Sequence, residues 1–151
     1  MQTDIRFFKV GNVKSPTRGT NKSAGIDFYI PNDFVEKEVM PGDDILIPSG
    51  IKVRVPDGYA LVANNKSGVS LKKKMIFGAS VIDQDYTGII HIHLFNVGVL
   101  PATLIPGEKI IQFILEKQEY ATLTEASSEE DLYKDLVTER AAGAFGSTGS
   151  K

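Results

Sequence analysis

Short runs of alternating apolar and polar residues, separated by turn signals, most constrain how this chain can fold. In ILIPSGIKVRVPDGYALVA (45–63), Ile51, Val53 and Val55 alternate with charged residues, which is the period of a strand buried on one face. The turn signal that follows, PDG (56–58), combines a preset proline φ, a locally capping aspartate and a glycine that accepts positive φ. Runs spaced by roughly 8–12 residues predict an all-β sandwich or jelly roll.

Similar turn signals occur at 41–43 and 106–108, each ahead of an apolar run. The segment TGIIHIHLFNVG (87–98) predicts another strand, because apolar residues occupy every second position. One face of this strand would carry Ile90, Ile92 and Leu94, and the other His91, His93 and Phe95.

Helix is predicted at only two places. A turn or two is expected after Ser67, in GVSLKKK. In SSEEDLYKDL (127–136), serines precede acidic residues and Leu132 and Leu136 are four apart, which is typical of a capped helix. An extended conformation of this second segment is the alternative.

The composition excludes several classes of protein. The 151 residues suit one domain, and a net charge of −2 without a polybasic run lacks the footprint of a nucleic-acid binder. No apolar run approaches the roughly 20 residues that span a bilayer, and the N-terminus does not have the pattern of a signal peptide. The absence of cysteine excludes disulfides and thiolate metal sites. We expect a soluble intracellular protein.

Two stretches in the first half of the chain carry polar residues that packing does not require. Asp27, in SAGIDFYIP, lies between apolar residues of a predicted strand, where it is either functional or an ordinary strand-edge aspartate. Lys66, Ser67 and Gly68 stand at a predicted helix start, where backbone N–H groups can bind an anion. An ordinary N-cap is the commoner role of such residues.

Two stretches in the second half raise the same question. In GASVIDQDYTG, Asp83 follows an apolar pair and precedes Tyr86 and Gly88 at a predicted hairpin bend. A buried aspartate there could act as a general base, although a turn aspartate is commoner. The glycine- and serine-rich tail could wrap phosphates through its N–H groups, or could simply be mobile.

The histidines of the predicted strand 87–98 form a further candidate. His91 and His93 point to the same side and could share a metal ion, but no third ligand is evident nearby in the sequence. We interpret them as polar or interface-facing strand residues.

Taken in order, five stretches resemble the five motifs of the trimeric dUTPases, the deoxyuridine triphosphate nucleotidohydrolases. They are SAGIDF, NKSGVS, SVIDQDYTG, PGEKIIQF and RAAGAFGSTG, and they run from about Ser23 to Gly149. The resemblance implies a homotrimer of jelly-roll subunits with three active sites at subunit contacts, each drawing on all three chains. It implies hydrolysis of dUTP to dUMP and pyrophosphate with Mg²⁺ on the triphosphate. Such an enzyme would limit uracil incorporation into DNA and supply dUMP. We expect it in the cytoplasm, or in the host cytoplasm if a virus or phage encodes it, without direct binding to nucleic acid or membranes.

The resemblance also implies roles around the triphosphate. Asp83 would orient and deprotonate the water that attacks the α-phosphorus, and Asp27 would hold the water shell of the metal. Phosphate contacts would come from Lys66, Ser67, Gly68 and Gln112.

The nucleoside would bind to the hairpin 80–91. Its backbone at Ser80, Val81 and Ile82, with main-chain groups near His91, would pair with the uracil edge and leave no room for the thymine methyl group. Tyr86 would pack under the deoxyribose and exclude a ribose 2′-hydroxyl.

Residues 1–138 would form the jelly-roll domain, and residues 139–151 a flexible arm that closes over a neighbouring subunit's site. Phe145 would stack on the uracil, Arg140 would pair with the γ-phosphate, and the backbone around Gly146 and Ser147 would cradle the triphosphate.

The chain departs from the family pattern at four positions. Lys66 stands where arginine is usual, which keeps the charge and loses the planar fork. Ser80 stands where glycine is usual and would be strained if the position requires positive φ. Ala141 and Ala144 replace glycines of the arm and would stiffen it.

Two alternative functions remain at this point. A dCTP deaminase shares the fold, but its glutamate base would fall on His93 and its arginine on Leu71, so both are missing. A binding or regulatory protein of the dUTPase fold is the other alternative, although no residue identifies a partner.

Overall fold

The computed structural model describes residues 3–144, which contain eleven strands and two helices. The strands are β1 (Arg6–Lys9), β2 (Ile26–Tyr29), β3 (Lys37–Val39), β4 (Asp44–Pro48), β5 (Ile51–Arg54), β6 (Tyr59–Asn64), β7 (Met75–Phe77), β8 (Val81–Ile82), β9 (His91–Asn96), β10 (Ala102–Leu104) and β11 (Lys109–Lys117). The helices are α1 (Ser67–Lys73) and α2 (Glu129–Tyr133).

The alternating sequence pattern produces strands with one buried face. In β5, Ile51 and Val53 are buried while Lys52 and Arg54 are exposed. In and before β9, the predicted inner face is also confirmed, since Ile90, Ile92 and Leu94 are all buried.

The strands form two larger sheets and two ribbons, all antiparallel. The larger sheets have the orders β2-β11-β6-β8 and β4-β9-β7, and the ribbons pair β1 with β5 and β3 with β10. Side chains from both larger sheets share one hydrophobic core, in which the rings of Phe28 and Phe113 meet edge-on at 4.7 Å. The all-β prediction is therefore confirmed.

Both helices lie at predicted places. The backbone of Lys66 caps α1 in an extended conformation, without a side-chain cap. Before α2, the Ser128 hydroxyl accepts a hydrogen bond from the Asp131 N–H at 3.1 Å, and Asp131 accepts in turn from Ser127. No helix in residues 3–144 has the length and apolar character needed to cross a membrane.

The chain divides into two compact units, Met1–Tyr120 and Ala121–Lys151. All eleven strands and α1 belong to the first unit, and α2 belongs to the second. The predicted boundary between domain and arm, at 138/139, stays a prediction.

Candidate active site

A charged cluster lies where β2, β11 and β6 pair side by side. Gln112 of β11 is opposite Asp27 of β2 on one side and Asn64 of β6 on the other. Neighbouring strands are about 4.8 Å apart, so this register brings the first, second and fourth motifs together.

The carboxylate of Asp27 is the centre of this cluster. The residue is only 5% exposed, and its Oδ1 accepts a hydrogen bond from Lys66 Nζ at 2.7 Å. Lys109 Nζ lies 3.3 Å from Oδ2, and this hydrogen bond raises the pKa of Lys109. Gln112 Nε2 donates to the carbonyl oxygen of Asn65 at 2.7 Å. We call Asp27, Lys66, Lys109 and Gln112 the Asp27 cluster.

The Asp27 cluster carries two positive charges against one negative charge. The ammonium groups compensate the buried carboxylate, and the second positive charge remains available to an anion. α1 begins directly beside the cluster at Ser67, and no side chain caps its first turn. The cluster and the first N–H groups of α1 therefore suit a phosphate group.

The same carboxylate does not fit a metal ion held by the protein alone. Both oxygens of Asp27 are bound to lysines. Within residues 3–144, no group of three or more histidine or acidic side chains is placed to hold a metal ion. Any divalent ion at this site would need most of its ligands from elsewhere.

A second candidate region is a cavity of about 210 Å³ beside the hairpin that follows β8. We call it the hairpin cavity. It is lined by Ala79, Ser80, Val81, Ile82, Asp83, Tyr86 and His91. Six of these seven residues were predicted from the sequence to bind or act on the nucleotide, and the fold brings them together.

The ring of Tyr86 is held in a fixed orientation at this cavity. Its hydroxyl donates to the carbonyl oxygen of Ile89 at 2.8 Å, and its N–H donates to the carbonyl of Asp83 at 3.2 Å. The ring folds back over Gly88, where a Cβ atom would lie 2.4 Å from the tyrosine hydroxyl. Glycine at position 88 therefore permits this close approach of the ring, and a larger residue would displace it.

Asp83 is exposed in the single chain, which agrees with the commoner alternative of a turn aspartate and not with a buried one. The reason is local. β8 has only two residues and is the edge strand of its sheet, so the residues after Ile82 have no neighbouring strand to cover them.

Asp83 and the Asp27 cluster are apart within one chain. β8 pairs antiparallel with β6, with Ile82 opposite Leu61 and Val81 opposite Val62. Asp83 therefore lies toward the start of β6, about four residues or about 13 Å from Asn64 at 3.3 Å per residue. Lys66 follows beyond Asn64 in the direction away from Asp83.

The family model of the dUTPases matches residues 11–149. The chain belongs to the dUTPase family. It is 35% identical over 147 residues to the mouse deoxyuridine 5'-triphosphate nucleotidohydrolase, covering 96% of this chain and 85% of the relative. The corresponding fowlpox virus protein is 33% identical over 149 residues, covering 98% and 99%.

Solved structures of this family share the fold. The Staphylococcus bacteriophage 80alpha dUTPase with dUPNHPP matches with a TM-score of 0.83 at 20% identity, over 98% of this chain and 99% of that chain. A dUTPase mutant from phage phi11 of S. aureus, described with a structural Mg(II) ion, matches with a TM-score of 0.74 at 19% identity, over 85% and 99%. The predicted jelly-roll fold is confirmed.

One of the expected departures from the dUTPase pattern causes no strain. Ser80 is not among the described residues with positive φ, so serine fits the position and the conditional expectation of strain does not apply. Its carbonyl oxygen accepts the N–H of Ala63 at 2.7 Å. By contrast, Ala141 has a φ of 45°, a left-handed conformation that glycine adopts more readily.

Two contributors to this dUTPase site were missed by sequence reasoning. Lys109 stands in the fourth motif, but a bulge between Lys109 and Ile111 interrupts the alternation that assigns side chains to faces. The Gln84 side chain accepts the N–H of Gly58 at 2.8 Å and anchors the hairpin to the preceding turn. The sequence of the hairpin alone gives no sign of this contact.

The arm is described only in part. Arg140 Nε donates to the carbonyl of Gly143 at 2.7 Å, and the N–H of Gly143 donates to the carbonyl of Arg140 at 3.0 Å. Ala144 is the last described residue and is exposed. The predicted roles of Phe145, Gly146 and Ser147 lie outside the described residues.

Proposed function

We propose that this dUTPase-family chain is a dUTP diphosphatase that hydrolyses dUTP to dUMP and pyrophosphate. The hairpin cavity carries the proposal, because Asp83, Tyr86 and the backbone at 80–82 meet there as a nucleotide site of this family requires. The named activity of the curated relatives supports the same reaction. The biological result is less dUTP for incorporation into DNA and a supply of dUMP.

Asp83 acts as the general base. Its carboxylate accepts a proton from the attacking water. The water oxygen bonds to the α-phosphorus, and the bond from that phosphorus to the α–β bridging oxygen breaks. Its electron pair leaves with pyrophosphate. Because aspartate is a weak base, positioning and charge neutralisation supply most of the rate.

The Asp27 cluster receives the triphosphate together with its Mg²⁺, which enters as part of the substrate. Lys66 exchanges its hydrogen bond to Asp27 for one to a phosphate oxygen, and Ser67, Gly68 and Gln112 add contacts. The freed Asp27 oxygen would then be available to hold the water shell of the ion. The 2.7 Å ion pair between Lys66 and Asp27 supports this exchange. One movement of Lys66 would bring its ammonium group to the phosphate and free the Asp27 oxygen.

The proposed site is shared between copies in a homotrimer. Within one chain, Asp83 is exposed and lies about 13 Å along the strand from the end of β6. This separation supports a site in which Asp83 of one copy acts with the Asp27 cluster of a second copy. The arm, with Arg140, is proposed to come from a neighbouring subunit as well.

The deaminase alternative is disfavoured by the environment of His93. Its Nδ1 accepts the N–H of Ala79 at 3.0 Å, and its Nε2 lies 2.8 Å from Asp44 Oδ2. Both ring nitrogens are engaged, so His93 has no nitrogen available as a base. Leu71 offers an exposed apolar side chain where that family has arginine.

We place the reaction in the cytoplasm, or in the host cytoplasm if a virus or phage encodes the protein. The relatives include fowlpox and cowpox virus proteins, so the proposal includes a viral source.

Pyrophosphate release from a panel of deoxynucleoside triphosphates with Mg²⁺ tests the proposed function. We expect release from dUTP and none from dCTP, dTTP or dATP above background. Ammonia release from dCTP, or equal release from every triphosphate, would contradict the proposal.

Tyr86→Ala is expected to admit UTP. Without the ring the wall against the ribose 2′-hydroxyl is lost, and we expect the dUTP-over-UTP preference in kcat/KM to fall by about tenfold or more. Tyr86→Phe is the matched control, because it keeps the ring and loses only the hydrogen bond to Ile89. An unchanged preference in the alanine variant would place sugar discrimination elsewhere.

A further inference from the structure

The segment 78–80 crosses from one sheet to the other and forms one wall of the hairpin cavity. The β7–β9 ladder ends at Phe77 opposite Leu94, and the β8–β6 ladder begins at Val81 opposite Val62. Between these ladders, Ala79 and Ser80 line the cavity without belonging to a strand. Backbone hydrogen bonds hold both ends of this segment, Gly78 to His93 and Ser80 to Ala63, so Ala79 is the residue whose position depends on a side-chain contact.

His93 supplies two consecutive contacts to the crossover. Its carbonyl oxygen accepts the N–H of Gly78 at 2.9 Å, and its Nδ1 accepts the N–H of Ala79 at 3.0 Å. Because Nδ1 accepts, the ring proton is on Nε2, which donates to Asp44 Oδ2 at 2.8 Å. Asp44 thus selects the tautomer that can hold Ala79.

The crossover passes directly over the imidazole. A Cβ atom at Gly78 would lie 2.4 Å from His93 Nδ1 and 2.6 Å from the ring of Phe95. The rings of His93 and Phe95 are 4.7 Å apart between centroids, which fixes the imidazole plane. Glycine at 78 permits an approach close enough for the Ala79 N–H to reach the ring nitrogen.

His93 also connects the two walls of the cavity. His91, two residues earlier on the same face of β9, lines the cavity together with Ala79 and Ser80 of the crossover. A residue that fixes Ala79 relative to β9 thereby fixes the spacing between Ser80 and His91. These are the positions whose main chain is proposed to pair with uracil.

We propose that His93 is a positioning residue that sets the width of the pyrimidine pocket through its hydrogen bond to the Ala79 N–H, with Asp44 holding the required tautomer. The inference rests on the proposed function of the hairpin cavity. His93 acts through the backbone of Ala79 and touches neither the water nor the phosphates.

Three substitutions test the hydrogen bonds of the two ring nitrogens separately. His93→Asn places an amide oxygen near the position of Nδ1 and keeps an acceptor for Ala79. His93→Gln places an amide near the position of Nε2, keeping the partner of Asp44 without the acceptor for Ala79. His93→Leu removes both.

We expect His93→Gln and His93→Leu to raise the KM for dUTP and the Kd for dUMP by about three- to tenfold. This is the effect expected from the loss of one neutral hydrogen bond. kcat should stay within about twofold, since the base and the phosphate contacts are unchanged. The asparagine variant should restore both constants to within about twofold of the wild-type values.

Amide hydrogen exchange of Ala79 in the ligand-free protein makes the test independent of dUTP hydrolysis. We expect faster exchange in the leucine and glutamine variants but not in the asparagine variant. Ile30 is the reference amide, because its N–H donates to the carbonyl of Glu108 and not to the crossover. A wild-type protein inactive on dUTP would overturn the proposed function. The exchange data would still test whether His93 holds the Ala79 N–H. Unchanged Ala79 exchange in the glutamine variant, or rescue by glutamine instead of asparagine, would overturn the positioning role.

Discussion

Replacing Asp83 by asparagine is expected to lower kcat for dUTP hydrolysis by about a hundred- to ten-thousandfold, the usual contribution of a positioned general base. Asparagine has the same shape but cannot accept the proton from the attacking water. We expect the affinity for dUMP to stay within about threefold. Steady-state kinetics and a dUMP binding isotherm measure the two quantities.

Asp85→Asn is the matched control for this prediction. Asp85 lies in the same exposed turn and loses the same charge, but it does not line the hairpin cavity. We expect its kcat to remain within about threefold of wild type, because an exposed substitution away from the cavity perturbs little. If the kcat of Asp83→Asn stays within about tenfold of wild type, the barrier has changed by less than about 1.4 kcal/mol, and Asp83 is not the general base.

Removing residues 140–151 is expected to lower kcat/KM for dUTP by about a hundredfold or more. The truncation deletes Arg140, the proposed partner of the γ-phosphate, and Phe145, the proposed stacking partner of uracil. Hydrolysis measured at low dUTP concentration reports kcat/KM directly. All eleven strands lie in the unit Met1–Tyr120, so the truncated chain should keep its thermal unfolding temperature.

A shorter truncation controls for the loss of a chain end. Removing only Ser150 and Lys151 keeps every motif residue up to Gly149, and we expect kcat/KM within about twofold of wild type. If the long truncation keeps more than about a fifth of the wild-type kcat/KM, the arm does not take part in the reaction as proposed.

Much of the fold could be predicted because its signals are local. Strands such as β5 and β9 follow from alternation within a few residues, and α1 follows from the change of pattern after Ser67. The hairpin cavity was also predictable in composition, since most of its lining comes from one continuous motif.

The contacts between motifs could not be predicted from local pattern. Lys66 and Asp27 are 39 residues apart in sequence, and their ion pair depends on β2, β11 and β6 pairing in one register. Lys109 joins them only because a bulge in β11 interrupts the two-residue period. Each of these contacts depends on tertiary structure that no single segment encodes.

The contacts of His93 were missed for a similar reason. Alternation placed it on the outer face of β9, which is correct, but its two partners, Ala79 and Asp44, are 14 and 49 residues away. The exposure of Asp83 agrees with the turn aspartate that the sequence favoured. The apolar residues before it lie in a two-residue edge strand, which leaves Asp83 uncovered.

In the proposed trimer, Asp83 of one copy acts with the Asp27 cluster of another. Mixing two inactive variants tests it most directly. One is Asp83→Asn, and the other is the double variant Lys66→Ala and Gln112→Ala, which keeps Asp83 but lacks phosphate contacts. The two are co-refolded at a series of ratios, with trimers checked by light scattering and mixed assembly checked by mass spectrometry.

We expect mixed trimers to recover dUTP hydrolysis. With random assembly, about one quarter of the sites at equal mixing combine an intact Asp83 with an intact Asp27 cluster, and the activity falls to zero at either pure end. If each site were built from one chain, every site would carry a defect. A flat, inactive series with confirmed mixed trimers would therefore contradict a site shared between copies.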